Sequence, residues 1–236
     1  MELMATRSQR APRRTEALSR DAIVQAATEI LDAEGEGALT LRALTVRLAT
    51  GYGAIYHHVA DRNDLLVAAT DHVIARIVPG LAAGAGPRPA LRGVAAGLFD
   101  AIVAHPWVGA QLTRDPLRPA LLDIYESISQ QLRALGVPRR ALSDSAGVLV
   151  NYILGVAGQN AAHARALASS KMDRSAFLAT VAAQWAQLDS ARYPSLHKAR
   201  TQLPEHDDRE QFLAGIDLIL AGIETVNRAG QDSSAR

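Results

Sequence analysis

Apolar residues recur with helical spacing along nearly the whole chain, and nowhere do they alternate as in a half-buried strand. Ile23, Ala26, Ala27, Ile30 and Leu31 form the first stripe. Ser19 stands at its N-cap, Leu18 and Ile23 occupy the two positions of a hydrophobic staple, and Gly35 ends it. A shorter stripe, Leu41, Leu44 and Leu48, follows Thr40, a second N-cap, and leaves Arg42 and Arg47 facing outward. Gly51 is expected to break this helix and to supply the permissive backbone of a tight turn. Ile55 and Val59, four apart, anchor the next short helix, so Tyr52, Ala54, Tyr56, His57 and His58 share its exposed or half-exposed face. Asp61 caps a further helix, Asp64 adds negative charge to its first turn, and Leu65, Leu66, Ala69 and Val73 continue its buried side.

After Ile77 the chain changes character. Pro79 to Pro89 is rich in glycine, alanine and proline and reads as a hinge-like loop. Helices are expected at about 90–104, 106–113, 117–135, 139–168, 173–188 and 207–228, with Pro106, Pro116 and Pro138 near starts. Residues 189 to 206 read as a long polar connection, and Gly230 to Arg236 as a frayed tail. The fold class that follows is all-α, with one small and one larger domain in 236 residues.

Two short helices pinched around a glycine, the second polar, aromatic and almost free of charge, form the pattern of a helix-turn-helix that sets its second helix in a DNA major groove. Over residues 1 to 20, five arginines against Glu2 and Glu16 give +3, whereas the whole chain carries only +1. The arm bearing Arg7, Arg10, Arg13 and Arg14 is therefore either a phosphate-tracking or minor-groove segment or a solvated tail. The absence of cysteine excludes disulfides and thiol chemistry. With no signal-like segment and no run of about eighteen apolar residues, a soluble, cytoplasmic protein without membrane contact is expected. An all-α bundle can host an enzyme. The sequence nevertheless holds no Glu-x-x-His pair, no His-Glu-x-x-His and no glycine-rich phosphate loop, and no cofactor is implied.

Residues 19 to 74 resemble the DNA-binding domain of the tetracycline-repressor (TetR) family of transcription regulators. The likeness rests on Leu39-Thr40-Leu41-Arg42, on Leu48, and above all on Ile55-Tyr56-His57-His58-Val59 followed by Asp61-Arg62-Asn63-Asp64-Leu65-Leu66. One departure is the turn, where the family usually has Gly-Val and this chain has Ala49-Thr50, with glycine displaced to Gly51. Gly53 inside the recognition helix is another; it either permits close approach to DNA or leaves the helix less rigid, at a cost of about 1 kcal/mol relative to alanine.

The resemblance implies phosphate contacts from Thr40, Tyr56 and Arg62, and backbone or base contact, or packing within the domain, for His58. Arg42 and Tyr52 are the best base readers, with Gly53 and Ala54 beside them. It divides the chain into a flexible basic arm (1–16), a helix-turn-helix domain (17–64), an effector-binding and dimerisation domain (65–228) and a flexible tail (229–236). It also implies a homodimer on a pseudo-palindromic double-stranded operator, paired as a four-helix bundle. Leu149, Ile153 and Ala157 on one helix and Ile216, Ile219, Leu220 and Ile223 on another are the interface candidates. In a monomer the same residues are ordinary core.

The default function is a repressor released from its operator by a small, largely apolar effector. An architectural or protein-regulated DNA binder is the alternative, and an all-α enzyme the more distant one. Polar groups available to an effector are His105, Trp107, Gln111, Tyr125, Asn151, Gln159 and Trp185, with Asn160 and His163 nearby in sequence. Gln111 and Gln159 fall where tetracycline repressors place a metal-ligating histidine and a glutamate just outside the metal's ligands, and Val78, Val94 and Leu98 replace further contacts. No metal–tetracycline effector is expected, because glutamine is a poor metal ligand.

Overall fold

The computed structural model describes residues 18–77, 86–170 and 173–234, and every regular element among them is helical. The basic arm, Val78 and most of the expected hinge loop lie outside the described residues.

Local capping sets the first four helices. Ser19 Oγ accepts the Ala22 N–H at 3.1 Å to start α1 (Arg20–Glu34), which Gly35 ends at φ +80°. Thr40 Oγ1 accepts the Ala43 N–H at 3.1 Å to start α2 (Leu41–Arg47). After α3 (Tyr52–Tyr56), Asp61 Oδ1 accepts the Asp64 N–H at 2.8 Å and Asp64 Oδ2 accepts the Ala60 N–H at 3.0 Å, a reciprocal start for α4 (Arg62–Ile74). The four helices close over Ile23, Ala27, Leu44, Ile55, Val59 and Leu65, all buried.

The turn between α2 and α3 is not made by Gly51. Thr50 N–H donates to Thr45 O at 3.1 Å and Ala49 N–H to Val46 O at 3.3 Å, the two bonds of a Schellman motif. That register places the left-handed residue at Ala49, φ +48°, while Gly51 sits at φ −90° as the extended N-cap of α3. The end of α7 (Pro119–Ala134) repeats the motif with glycine in the same slot, Gly136 at φ +90°. The hydrogen-bond register, not the nearest glycine, decides which residue becomes left-handed.

The larger domain continues with α5 (Pro87–Ala104), α6 (Pro106–Arg114), α7, α8 (Arg139–Ser170), α9 (Arg174–Ala186), α10 (Pro194–Ala199) and α11 (Asp208–Ser234). Proline stands at the start of α5, α6, α7 and α10, where its missing N–H costs nothing. The start of α7 is thus Pro119, not Pro116. The stretch expected as a polar connection contains α10 and a 3-10 turn (Leu203–Glu205). α11 runs through Gly230, beyond its expected end, because a helical glycine costs only about 1 kcal/mol and no proline follows.

Central α8 packs against α5, α6, α7 and α11, which covers one side of a helix long and apolar enough, by length and composition alone, to cross a membrane. α11 crosses it closely at Gly215, where a Cβ would fall 1.9 Å from Tyr152 Oη. The Tyr152 ring stacks on Phe212 (centroids 5.6 Å apart), which stacks in turn on Phe99 of α5 (4.6 Å).

This packing draws five of the seven expected dimer residues into the chain's own core and leaves Ile219 and Ile223 partly at the surface. Leu149, Ile153, Ala157, Ile216 and Leu220 are buried within the chain, and Ile219 and Ile223 are half-buried against the same core. The outward stripes are instead Val148 (52% exposed), Asn151, Gly155 and Gln159 on α8, and Ala214, Leu218 (74% exposed), Ala221 and Thr225 on α11.

Two substitutions test these constraints by thermal or urea melting. Left-handed backbone costs a non-glycine residue about 1–2 kcal/mol, and glycine forfeits about 0.5–1 of that in unfolded-state entropy. Ala49→Gly is therefore expected to stabilise by about 0.5–1 kcal/mol, and a lower melting temperature would contradict the Schellman register. Gly215→Ala is expected to destabilise by about 1–3 kcal/mol through overpacking against Tyr152; no loss of stability would mean that α11 and α8 are not in close contact there.

Candidate nucleic-acid interface

The outward side of α2 and α3 carries most of the residues singled out from the sequence. Thr40 is exposed, and its hydroxyl, while accepting from Ala43, keeps its own proton to donate. Arg42, Gly53 and Ala54 are exposed, as are Tyr52 (51%) and Tyr56 (54%), and His58 is half-buried with its ring edge-on to His57 at 5.3 Å. Val46 is 76% exposed on α2, an apolar residue the sequence reading passed over. Its place two positions after Leu44 in the helical stripe is the signal that it faces away from the core.

Charge sharpens this picture. Residues 18–64 hold four arginines against seven Asp and Glu, a net −3 before the arm is counted. Three of those arginines are engaged: Arg20 with Asp64 at 3.2 Å, Arg47 with Glu29 at 2.9 Å through Nε, and Arg62 with backbone carbonyls. Among the described residues only Arg42 of the four makes no hydrogen bond or ion pair.

Arg62, the expected phosphate contact after the recognition helix, is engaged within the chain and 45% exposed. Its Nε donates to Leu39 O at 3.0 Å, its Nη2 donates to Glu36 O, and the same nitrogen lies 3.6 Å from Glu36 Oε1. The guanidinium braces the loop before α2 instead of standing free for a phosphate.

The expected effector residues do not converge on one pocket. Three of them meet the DNA-binding domain. Asp32 Oδ1, near the end of α1, accepts from Trp107 Nε1 at 2.7 Å and lies 2.8 Å from His105 Nδ1. Glu36 takes a two-pronged contact from Arg114 (3.0 and 3.1 Å) and a hydrogen bond from Gln111 Nε2 (2.9 Å). The Arg114 guanidinium, above all, holds the Glu36 carboxyl below the usual carboxylate range. Gln111 is fully buried in this contact, which leaves its Oε1 unpartnered. Tyr125 is half-buried on α7, Asn151 and Gln159 lie on the outer stripe of α8, and Trp185 is half-buried on α9.

A further link was not legible in the sequence. Asp71 Oδ1 of α4 accepts the Ala120 N–H at 3.2 Å and so caps the first turn of α7. Burial pushes the Asp71 carboxyl above its ordinary range, against that backbone bond and the nearby charge of buried Arg118. Among the described residues no group of three or more His, Asp or Glu is placed to hold a metal ion.

Comparison with known proteins fits this architecture. Residues 84–227 match the model of the tetracyclin repressor-like C-terminal domain. An HTH-type transcriptional regulator of Saccharopolyspora erythraea is 31% identical over 139 residues, 58% of this chain and only 59% of that protein's length. The HTH-type transcriptional repressor DrrR1 of Streptomyces coeruleorubidus is 27% identical over 97% of this chain and 85% of its own. Among solved structures, SCO7222, a TetR from Streptomyces coelicolor, superposes with a TM-score of 0.81 at 47% identity, covering 89% of this chain and 99% of that one. The S. coelicolor TetR family protein ActR in complex with actinorhodin gives 0.70 at 25% identity over 88% and 96%. BioQ with its double-stranded DNA operator gives 0.54 at 28% identity over 63% and 89%. The domain match and the SCO7222 likeness join the helix-turn-helix described above: the chain belongs to the tetracycline-repressor (TetR) family, whose members are transcriptional regulators and not enzymes.

Proposed function

We propose that this regulator is a cytoplasmic, homodimeric repressor that holds a pseudo-palindromic operator and is released from it by a small, largely apolar effector. The observation that carries the reading is the uncommitted set on α2 and α3: the Thr40 hydroxyl, unpaired Arg42, and two tyrosines half in solvent. Tyrosine hydroxyls and Thr40 suit phosphate oxygens, and a guanidinium matches the two acceptors of guanine. With the domain itself at net −3, the four arginines at positions 7, 10, 13 and 14 supply the phosphate-directed charge. BioQ with its operator, ActR with actinorhodin and the repressor DrrR1 support the same reading by family likeness.

One short recognition helix per chain reads one half-site, so two copies about 34 Å apart are needed to read a palindrome. The stripes on α8 and α11 suit that pairing. Gly155 and Gly222 are exposed, and a Cβ at either would meet nothing of this chain within 4 Å. Glycine inside a helix costs about 1 kcal/mol relative to alanine. Intrachain packing gives these two no reason to be glycine, whereas close approach of a second copy does. The effector acts through whichever state it binds better, and the polar junction at Asp32 and Glu36 is where such a preference reaches the DNA-binding domain.

Fluorescence anisotropy with DNA flanking the protein's own gene, against scrambled duplex at two salt concentrations, tests the interface. Arg42→Ala is expected to lose about 1–3 kcal/mol of operator discrimination, and Tyr56→Phe to weaken both duplexes alike. Arg62→Ala should instead lower the melting temperature and leave the salt slope unchanged. Equal binding by wild type and Arg42→Ala would refute the assignment. Leu218→Arg, a change at an exposed site, is expected to give monomers on size-exclusion with light scattering and to abolish tight operator binding; persistent dimers would move the interface elsewhere.

A further inference from the structure

The chain has three phenylalanines, and all three gather at one end of the larger domain. Phe212 and Phe99 stack behind a cleft of about 450 Å³ between α5, α8, α9 and the start of α11. Phe99, Val103, Leu178 and Phe177 form its apolar wall, and Phe177 is 39% exposed there, an aromatic surface that the chain itself leaves uncovered.

The opposite wall is charged, but its charges are already spent on each other. Arg174 pairs with Asp208 at 2.7 Å and donates to His206 O at 3.0 Å. Arg209 pairs with Asp100 at 2.7 and 2.9 Å. Asp207 accepts the N–H groups of Arg209 and Glu210 at 2.8 and 2.9 Å, and His206 Nε2 lies 3.3 Å from Asp208. Two polar groups remain open. His163 has no partner among the described residues, and Asn160, whose Nδ2 donates to Val156 O at 3.0 Å, keeps its Oδ1 as an acceptor.

From this we infer that the cleft is the effector site and takes an uncharged, planar aromatic molecule bearing a hydroxyl. A charged ligand would have to break one of the ion pairs or enter beside a neutralised wall, and either costs free energy. A flat ring stacks on phenylalanine faces, and its hydroxyl donates to Asn160 Oδ1 or engages His163. The cleft volume lies in the range of small-molecule sites.

The inference rests on the ligand-released reading above and supplies its route. Val103 stands two residues before His105, where α5 bends by 112° into α6. His105 and Trp107, on that bend, hold Asp32 of the DNA-binding domain. A ligand wedged against the last turn of α5 therefore acts on the Asp32 contact through a single helix turn.

The test uses a matched pair of probes on the full chain at neutral pH, with binding read by equilibrium dialysis: 2-(hydroxymethyl)anthraquinone, uncharged with a free hydroxyl, and anthraquinone-2-sulfonate, anionic. Wild type is expected to bind the uncharged probe saturably, one per chain, and the sulfonate about tenfold more weakly. Phe177→Asp, at a half-exposed position that tolerates change, and cavity-filling Val103→Trp are each expected to weaken the uncharged probe about tenfold. Equal affinity for the two probes would overturn the uncharged class, and unchanged affinity in a folded Phe177→Asp would overturn the site. Operator anisotropy is run on the same samples with and without probe. Intact operator binding with no probe uptake refutes the cleft alone, whereas absent operator binding refutes the regulator reading. Probe bound with unaltered operator affinity overturns the route through the bend.

Discussion

Two carboxylates at the exit of α1 tie the larger domain to the recognition helix through polar contacts. Asp32 and Glu36 lie four residues apart at the exit of α1, and between them they receive His105, Trp107, Gln111 and Arg114 from the α5–α6 bend and α6. Glu36 also stands beside Arg62, whose guanidinium ties the loop before α2 to the first turn of α4. These polar contacts rim a buried core that runs on from α1 and α4 into α5, α6 and α7, and together they set the position of the recognition helix. Trp107 and Gln111 are buried, while Asp32, Glu36, Arg62, His105 and Arg114 are a quarter to a half exposed. Such contacts orient more than they stabilise, and a regulator needs an interface that can be remade for a few kcal/mol, the scale of ordinary allosteric coupling, about 1–3 kcal/mol.

The rest of the larger domain is built to be stiff by comparison. Gly215 lets α11 press against Tyr152, and the Tyr152–Phe212–Phe99 stack runs through three helices. Along the same flank, Arg88 reaches Glu224 at 2.9 Å, Arg92 reaches Asp217 at 3.4 Å, and Arg209 holds Asp100, fixing how α11 lies on α5. Each is exposed enough to be worth little as stability, but three pairs in a row leave one sliding position with all partners satisfied.

What the sequence disclosed and what it hid follow the range of the interactions concerned. Ser19, Thr40 and Asp61 were legible as caps because a cap is a bond over three residues, and the stripes of α1 and α4 were legible because burial follows the helical period. The turn was misplaced because a nearby glycine is a weaker determinant than the Schellman register, which falls on Ala49. Leu149, Ile153, Ala157, Ile216 and Leu220 turned out to be core because α8 and α11 are apolar or small on more than one face, and periodicity cannot say which face meets the chain's own core. Trp107, His105 and Gln111 were picked for their chemistry, yet their partners lie 73 to 75 residues away, a pairing no local pattern reveals.

Arg62 shows how far a family pattern carries. Its place just after the recognition helix makes it an expected phosphate contact, yet in this chain two main-chain carbonyls and Glu36 take its donors. Removing those bonds would leave the carbonyl groups of Glu36 and Leu39 without them, so the brace and a phosphate contact compete for the same guanidinium. The competition has a direction. Whatever draws Arg114 away from Glu36 leaves Arg62 as the remaining arginine beside that carboxylate and strengthens its hold there. The turn after the recognition helix and the end of α6 thus share one negative charge, an electrostatic link between them besides the helix that joins the domains.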